Sequence, residues 1–180
     1  LNGLARDGGL YLPVSWPRFN LDEIHQMRDL SYSDLAGLIM SRFTDGEIDQ
    51  VEMTSLARQS YADFTHPDVA PLRPGAENIH ILELFHGPTI AFKDYAMQFL
   101  SRVFDRALKR QNRTAVILGA TSGDTGSAAL EAFKGRNSVD VFILFPNGRV
   151  SPVQQKQMTS ISDKGAHAVA VSGDFDDCQD

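Results

Sequence analysis

The sequence predicts an α/β protein in which a helical N-terminal segment is followed by part of a mainly parallel sheet flanked by helices. Two observations carry this prediction. Apolar residues recur at helical spacing before a polar, proline-bearing stretch at residues 65–78, and short β-rich runs alternate with helical segments after it. Such alternation favours parallel pairing, because each helix carries the chain back across the sheet. We place the domain boundary in the proline-bearing stretch, with one domain over residues 1–77 and a second over residues 78–180.

The N-terminal segment is predicted to form three helices. Asn20 and Glu23 have the spacing of a capping box at the start of the first helix. Ser33 is the expected N-cap of the second helix, and the third follows Asp45. The apolar markers of the third helix are Ile48, Val51, Leu56 and Tyr61.

The second domain is predicted to alternate between strands and helices. Ser151 and Pro152 open one helix there as N-cap and first helical residue, with Gln154 at capping-box distance. The expected strands are residues 79–85, 114–118, 139–145 and 166–171, and the other expected helices are residues 94–110 and 127–134.

Composition excludes several classes of protein. The chain is 42% hydrophobic, which argues against disorder, and its net charge of -6 argues against a nucleic-acid partner. No apolar run has the length of a membrane span. The one cysteine, Cys178, rules out an internal disulfide framework and fits a reducing compartment such as the cytoplasm. The five histidines are scattered without metal-ligand spacing, so we predict no metal.

Lys93 is the candidate reactive group. It follows Ile90, Ala91 and Phe92 at the point where a helix begins. Poor solvation beside these apolar residues would favour the neutral amine, which can act as a nucleophile or a base. The alternative is a surface lysine that extends past its apolar neighbours into water.

A glycine-rich turn at residues 119–126 follows a predicted strand and leads directly into a helix. Backbone N–H groups converge at such a helix N-terminus, so the turn is a candidate anion site. It lacks the spacing and the lysine of a P-loop, and Gly123 with Gly126 supplies only part of a dinucleotide fingerprint. A tight strand-to-helix turn with no ligand is the alternative.

Residues 85–98, with the sequence FHGPTIAFKDYAMQ, resemble the cofactor-lysine segment of the threonine synthases, which are pyridoxal-phosphate enzymes. Residues 119–129, GATSGDTGSAA, resemble the glycine-rich turn of the same family. Three more stretches are similar to that family, at residues 4–11, 145–154 and 173–179, so the resemblance covers nearly the whole chain. It implies a tryptophan-synthase-β-like domain of fold type II, which is incomplete here because family members are much longer.

The resemblance implies a role for each site residue. Lys93 is expected to form the Schiff base with pyridoxal 5'-phosphate and then to act as a general base. Phe92 and Asp124 are the other expected cofactor-binding residues. The expected substrate-binding residues are Thr121, Ser122, Gly123 and Thr125, for the carboxylate, together with Ser151 and Gln154.

Asp124 departs from the wider fold class, in which many enzymes have an asparagine that donates to the ring oxygen of the cofactor. An ionised aspartate cannot donate, so either the oxygen or the carboxyl must hold a shared proton. A helix-capping role for Asp124 is the alternative. Asp94 is expected to place a charge at its helix N-terminus, and His86 to be hydrogen-bonded in its loop.

The implied activity is the conversion of O-phosphohomoserine and water to threonine and phosphate. A related pyridoxal-phosphate threonine or serine dehydratase is one alternative, and a non-catalytic, synthase-like anion-binding protein is another. The groups that bind the cofactor phosphate and pyridine nitrogen are expected beyond Asp180. We therefore expect the 180-residue piece to be inactive alone and to bind the cofactor weakly or not at all. The sequence leaves the oligomeric state open.

Overall fold

The computed structural model describes residues 5–179. By its contacts the chain divides into two compact units, of which the first ends at Gln59 and the second begins at Ser60. The predicted boundary at residues 77 and 78 therefore lies inside the second unit. Residues just before that boundary pack within this unit, since the Tyr95 hydroxyl donates to Val69 O at 2.7 Å and the rings of Phe64 and Tyr95 lie 4.9 Å apart. The domain organisation of the whole protein stays a prediction.

The predicted helices α1 (Leu21–Met27), α2 (Tyr32–Ser41) and α3 (Gln50–Tyr61) are present. The capping box of Asn20 and Glu23 is confirmed. The predicted cap of α2 was wrong: Ser31, not Ser33, has the extended backbone of an N-cap and accepts from Asp34 N at 3.2 Å. Gly37 lets α2 approach α3 closely, because a Cβ there would lie 2.5 Å from Thr54 Cα.

The predicted strand at residues 79–85 is shorter and pairs differently. Residues His80–Leu82 form β2, which pairs antiparallel with β1 (Leu72–Pro74), a strand inside the predicted proline-bearing linker. A tight turn joins the two strands, with Gly75 N donating to Ile79 O at 2.9 Å and Asn78 at φ 60°. Such a short connection permits only antiparallel pairing, since a parallel pair needs a long crossover.

The predicted parallel sheet is confirmed, with the order β3 (Ala115–Ala120), β4 (Val139–Pro146) and β5 (Ala166–Val171). Its helices are α4 (Lys93–Arg110), α5 (Asp124–Phe133), α6 (Pro152–Thr159) and α7 (Phe175–Gln179). The α/β class is therefore confirmed. Helix α5 begins at Asp124, one turn before the predicted Ser127, so the glycine-rich turn is shorter than the sequence indicated.

One face of the sheet carries the core. The alternate β4 residues Val139, Val141, Ile143 and Phe145 are buried against α4, α5 and α6. On the other face, Val116, Leu118 and Val169 are exposed in the described part of the chain. None of the described helices combines the length and the apolar character that a membrane crossing requires.

Gly126 is where α5 packs most closely on this core. A Cβ at this position would lie 2.5 Å from Thr121 Cγ2, 2.7 Å from Ile143 Cγ2 and 2.9 Å from Met158 Sδ. The absence of a side chain therefore sets the distance between α5, β4 and α6.

We expect Gly126→Ala to lower the free energy of unfolding by about 1–3 kcal/mol, because the added methyl group overpacks a filled core. Urea unfolding of the full-length protein measures this loss. Gly119→Ala is the matched control, since its Cβ would meet only the flexible Cδ1 end of Ile143, at 3.3 Å. Equal losses for the two variants would contradict the packing argument.

Candidate active site

The loop before Lys93 is held in an unusual backbone conformation. Ile90 has φ 66°, in the left-handed region that β-branched residues rarely adopt. Its N–H donates to Gly87 O at 3.1 Å, so the chain turns sharply three residues before the lysine. Strain of this kind persists only where surrounding contacts enforce it, and it concentrates at functional sites.

Asp94 supplies those contacts. Its side chain is 0% exposed, and it accepts from Thr89 N at 2.8 Å through Oδ2 and from the Thr89 hydroxyl at 2.7 Å through Oδ1. Gly87 leaves room for the carboxylate, since a Cβ there would lie 2.5 Å from Asp94 Oδ2. Burial raises the pKa of Asp94, and its hydrogen bonds oppose that shift. Beyond the predicted charge at the helix N-terminus, Asp94 therefore clamps the lysine loop.

Lys93 is the first residue of α4 and is half-buried. Its Nζ lies 4.4 Å from the centre of the Phe92 ring. Ile90 and Phe92 are 68% and 60% exposed, so neither side chain buries the amine as the sequence predicted, although the Phe92 ring lies beside it. The Phe92 ring thus lies within cation–π distance of Lys93 Nζ.

Thr121 organises the glycine-rich turn from inside. It is buried, and its Oγ accepts from Gly123 N at 3.0 Å and from Gly126 N at 2.9 Å, while its hydroxyl lies 3.2 Å from Gly123 O. Gly123 has φ 150°, which favours glycine. Of the four residues predicted to bind the carboxylate, Thr121 and the Gly123 N–H thus bind each other, whereas Ser122 and Thr125 are exposed.

Asp124 is the first residue of α5, and Gly123 occupies the N-cap position, so the alternative of a capping role for Asp124 is wrong. The reason is that the helix begins one residue earlier than a cap at Asp124 would require, so Asp124 lies inside the first turn of α5. Its Oδ1 accepts from Gln154 Nε2 at 2.5 Å. Gln154 also closes the predicted capping box with Ser151, whose N–H donates to Gln154 Oε1 at 3.1 Å. The capping roles of Ser151 and Gln154 are confirmed, and their substrate-binding roles stay predictions.

Helix α6 joins the lysine loop to the glycine-rich turn. Gln157 Nε2 donates to Thr89 O at 3.0 Å, and Gln154, one turn earlier, donates to Asp124. Asp124 is a predicted site residue, and Thr89 lies in the loop that leads to Lys93. The structure therefore brings the Lys93 loop and the turn after β3 to the same helix, near the carboxyl ends of parallel strands where open α/β sheets bind ligands.

Sequence reasoning missed two residues of this arrangement, Thr89 and Gln157, and the clamping role of Asp94. Gln157 could have been found, because it lies three residues after Gln154 and so shares a helix face with it. The contact between Thr89 and Asp94 has no sequence signal, since it depends on the turn at Ile90.

Two other residues discussed in the sequence analysis, His86 and Cys178, can be compared with the structure. His86 is hydrogen-bonded as expected: its Nε2 lies 2.7 Å from Glu83 Oε2, and this bond lowers the pKa of Glu83. Cys178 is buried, and burial raises the pKa of its thiol, which disfavours the reactive thiolate. Across residues 5–179 no cluster of histidine, cysteine and acidic side chains could hold a metal ion.

Comparison with known proteins gives a consistent result. The family model described as threonine synthase N terminus matches residues 1–61. The chain is 48% identical over its whole length to a threonine synthase of Pseudomonas aeruginosa and 43% identical to that of Saccharomyces cerevisiae, and it spans 38% of each.

Solved structures agree with the sequence relatives. A pyridoxal-phosphate-bound threonine synthase from Brucella melitensis superposes with a TM-score of 0.94 at 53% identity, over 98% of this chain and 38% of that one. The yeast threonine synthase superposes with a TM-score of 0.91 at 43% identity, again over 98% and 38% of the two chains. The similarity therefore includes both the lysine loop and the glycine-rich turn.

Replacing Asp94 tests the clamp. We expect Asp94→Ala to lower the free energy of unfolding by about 2–5 kcal/mol, because it leaves the N–H and hydroxyl of Thr89 without an acceptor at roughly 1–3 kcal/mol each. Asp94→Asn is the matched control, since it keeps one acceptor and the same shape, and its loss is expected to be smaller. Urea unfolding of the full-length protein compares the two variants.

The same residue predicts a pH dependence. Burial raises the pKa of Asp94 above its ordinary value of 3.8, so the folded chain keeps this proton where the unfolded chain has released it. The stability that Asp94 contributes is fully present below 3.8 and is lost as the pH rises through the folded-state pKa. Unfolding measured from about pH 3 to about pH 7 should show the advantage of wild type over Asp94→Asn shrinking as the pH rises. A constant difference would refute this assignment.

Proposed function

We propose, from the premise that this chain belongs to the threonine synthase family, that the whole protein converts O-phosphohomoserine and water to threonine and phosphate with pyridoxal 5'-phosphate as cofactor. The observation that carries the proposal is the pair of glutamines on α6. Gln157 and Gln154 bond to the lysine loop and to the glycine-rich turn, respectively, so one rigid helix positions both. The proposed location of the protein is the cytoplasm, which fits its single, buried cysteine.

The residues present fit the cofactor. Lys93 is half-buried at the start of α4, and the Asp94 clamp fixes the loop from which it projects. We assign Lys93 Nζ as the atom that holds the cofactor covalently, with the adjacent Phe92 ring and Asp124 as neighbours of the cofactor. When bound, pyridoxal phosphate serves as an electron sink that stabilises negative charge on substrate carbon. The groups for its phosphate and pyridine nitrogen are proposed to lie outside residues 1–180.

Lys93 is also the proposed general base and acid. Its amine, once released by the incoming substrate, removes a proton from substrate carbon and returns it at a later step. The cation–π contact with Phe92 keeps the Nζ close to the ring and limits the directions in which it can point. The clamp at Thr89 then sets where the proton is collected and delivered.

The glycine-rich turn is the proposed site for the substrate carboxylate. Ser122 and Thr125 are exposed and supply hydroxyl donors, while the N-terminus of α5 adds its positive dipole end. In this arrangement Thr121 and Gly123 have a supporting role. The Thr121 hydroxyl oxygen and the Gly123 N–H, which were predicted to bind substrate, bond to each other and so fix the shape of the turn. Ser151 and Gln154 remain the proposed contacts for the substrate phosphate, next to the exposed Arg149.

Trapping of the cofactor tests the role of Lys93. With the full-length protein and pyridoxal phosphate, borohydride should yield a stable pyridoxyl adduct on the peptide that contains Lys93, detectable by mass spectrometry. Lys93→Ala should give no such adduct and lose activity by about 10²–10⁴-fold or more, because it removes both attachment and proton transfer. Lys109→Ala is the control on the same helix, since Lys109 is exposed and bonds to Asp105. Absence of an adduct in the wild type would leave the non-catalytic alternative in place.

Product analysis separates the two enzymatic readings. Full-length protein with O-phosphohomoserine should release threonine and phosphate in equal amounts, while threonine or serine as substrate should yield no 2-oxo acid. Production of 2-oxo acid from threonine, with no turnover of O-phosphohomoserine, would instead establish the related dehydratase.

A further inference from the structure

A cavity in the second unit borders the loop that leads to Lys93 but is lined by none of the predicted site residues. It has a volume of about 310 Å³ and is lined by α4, by the end of α5 and by Asp63 and Pro88. This volume is at the lower end of the range for small-molecule sites. It is large enough for a small ion together with several waters, each of which occupies about 30 Å³.

Three cations face this cavity, namely Arg102, Lys134 and Arg136, against the two acids Asp63 and Glu131. Lys134 lies 3.5 Å from Glu131, in an exposed and therefore weak ion pair. The two arginines are left with Asp63 as the remaining acid of the lining. The cavity consequently carries one more positive charge than negative.

Within the part of the chain that the structure describes, the two arginines have N–H donors without a hydrogen-bond partner. Arg102 makes its bonds through Nη1, to Gln98 O at 2.9 Å and to Gln98 Oε1 at 3.0 Å, both of them uncharged oxygens. Arg136 Nε is buried and has no hydrogen-bond partner among the described residues. A guanidinium has five N–H donors, and leaving a buried charged donor unpaired is costly.

The two guanidinium groups also repel each other. Burial lowers the pKa of Arg102, the charge of Arg136 lowers it further, and Asp63 only partly compensates. Backbone bonds on both sides hold Arg136 in place, since its N–H donates to Phe133 O at 3.0 Å and its C=O accepts from Val139 N at 3.1 Å. The repulsion is therefore built into the fold.

We propose that this cavity binds a small tetrahedral oxyanion, of the phosphate class, between the guanidinium groups of Arg102 and Arg136. Such an anion accepts hydrogen bonds from the unused N–H donors of both guanidinium groups. Its negative charge also offsets their mutual repulsion, which a neutral ligand cannot do. Pro88, between the clamped residues Gly87 and Thr89, forms part of the wall, so the bound anion contacts the loop that leads to Lys93.

Calorimetric titration of the full-length protein with sodium phosphate, against sodium chloride at equal ionic strength, tests the proposal. We expect saturable binding of inorganic phosphate to wild type that persists in Ser151→Ala, which removes a proposed phosphate contact of the active site and so separates the two sites. Arg102→Gln and Arg136→Gln should each weaken binding about tenfold or more, because each removes a charged partner. Lys109→Gln is the control for loss of an exposed α4 cation and should leave binding unchanged.

Several outcomes would overturn the site. Phosphate that fails to bind wild type, or that binds both arginine variants as tightly as wild type, rules it out. A third result would also overturn it: Arg136→Gln strongly lowers the thermal unfolding temperature, while phosphate does not change that of wild type. Arg136 would then pair with a carboxylate elsewhere in the protein, which would occupy the cavity in place of an anion. Arg136→Lys keeps the positive charge but lacks the planar guanidinium group, so this variant should bind phosphate with intermediate affinity. If either glutamine variant fails to fold, the phosphate affinity of the other variant tests the proposal.

Discussion

The bond between the Asp94 carboxylate and Thr89 is the constraint on which the rest of the candidate site depends. It holds Thr89 directly before Ile90, whose left-handed conformation makes the turn that leads to Lys93. Burying a carboxylate is expensive, and the raised pKa of Asp94 reflects this cost. Two short hydrogen bonds to one residue offset part of it. A protein that retains such a group gains a loop with one conformation, which a reactive lysine requires.

Helix α6 extends this constraint to the glycine-rich turn. Two of its three glutamines make these contacts through their side-chain amides: Gln157 donates to the carbonyl of Thr89, and Gln154 donates to the side chain of Asp124. The buried Met158 anchors the helix in the core beside Gly126, so the space left by a glycine on α5 decides how close α6 can approach. Core packing and site geometry are thus coupled through a single eight-residue helix.

The sequence predicted those parts of the fold that depend on local patterns. The capping boxes at Asn20 and Ser151 were found because their partners are three residues away, and the parallel sheet because strands and helices alternate. It failed where tertiary contacts decide. Residues 79–85 were predicted to form one strand, yet the turn at Asn78 makes His80–Leu82 part of an exposed antiparallel hairpin. The three apolar residues before Lys93 likewise predicted a poorly solvated amine. That prediction could not include the positive φ of Ile90, because it cannot be predicted from residue types.

Asp124 shows how one such contact changes the chemistry of the proposed site. The Ser151 N–H fixes which end of the Gln154 amide points away, so the amide NH₂ faces Asp124 Oδ1. An ionised aspartate is satisfied by this donor, and it has no proton of its own to give. A ligand oxygen placed beside the second carboxylate oxygen must therefore bring its own proton, whereas an asparagine at this position would donate one. A glutamine thirty residues further along, oriented by a helix cap, thus satisfies one carboxylate oxygen of Asp124 but does not supply the donor that an asparagine would offer to a ligand.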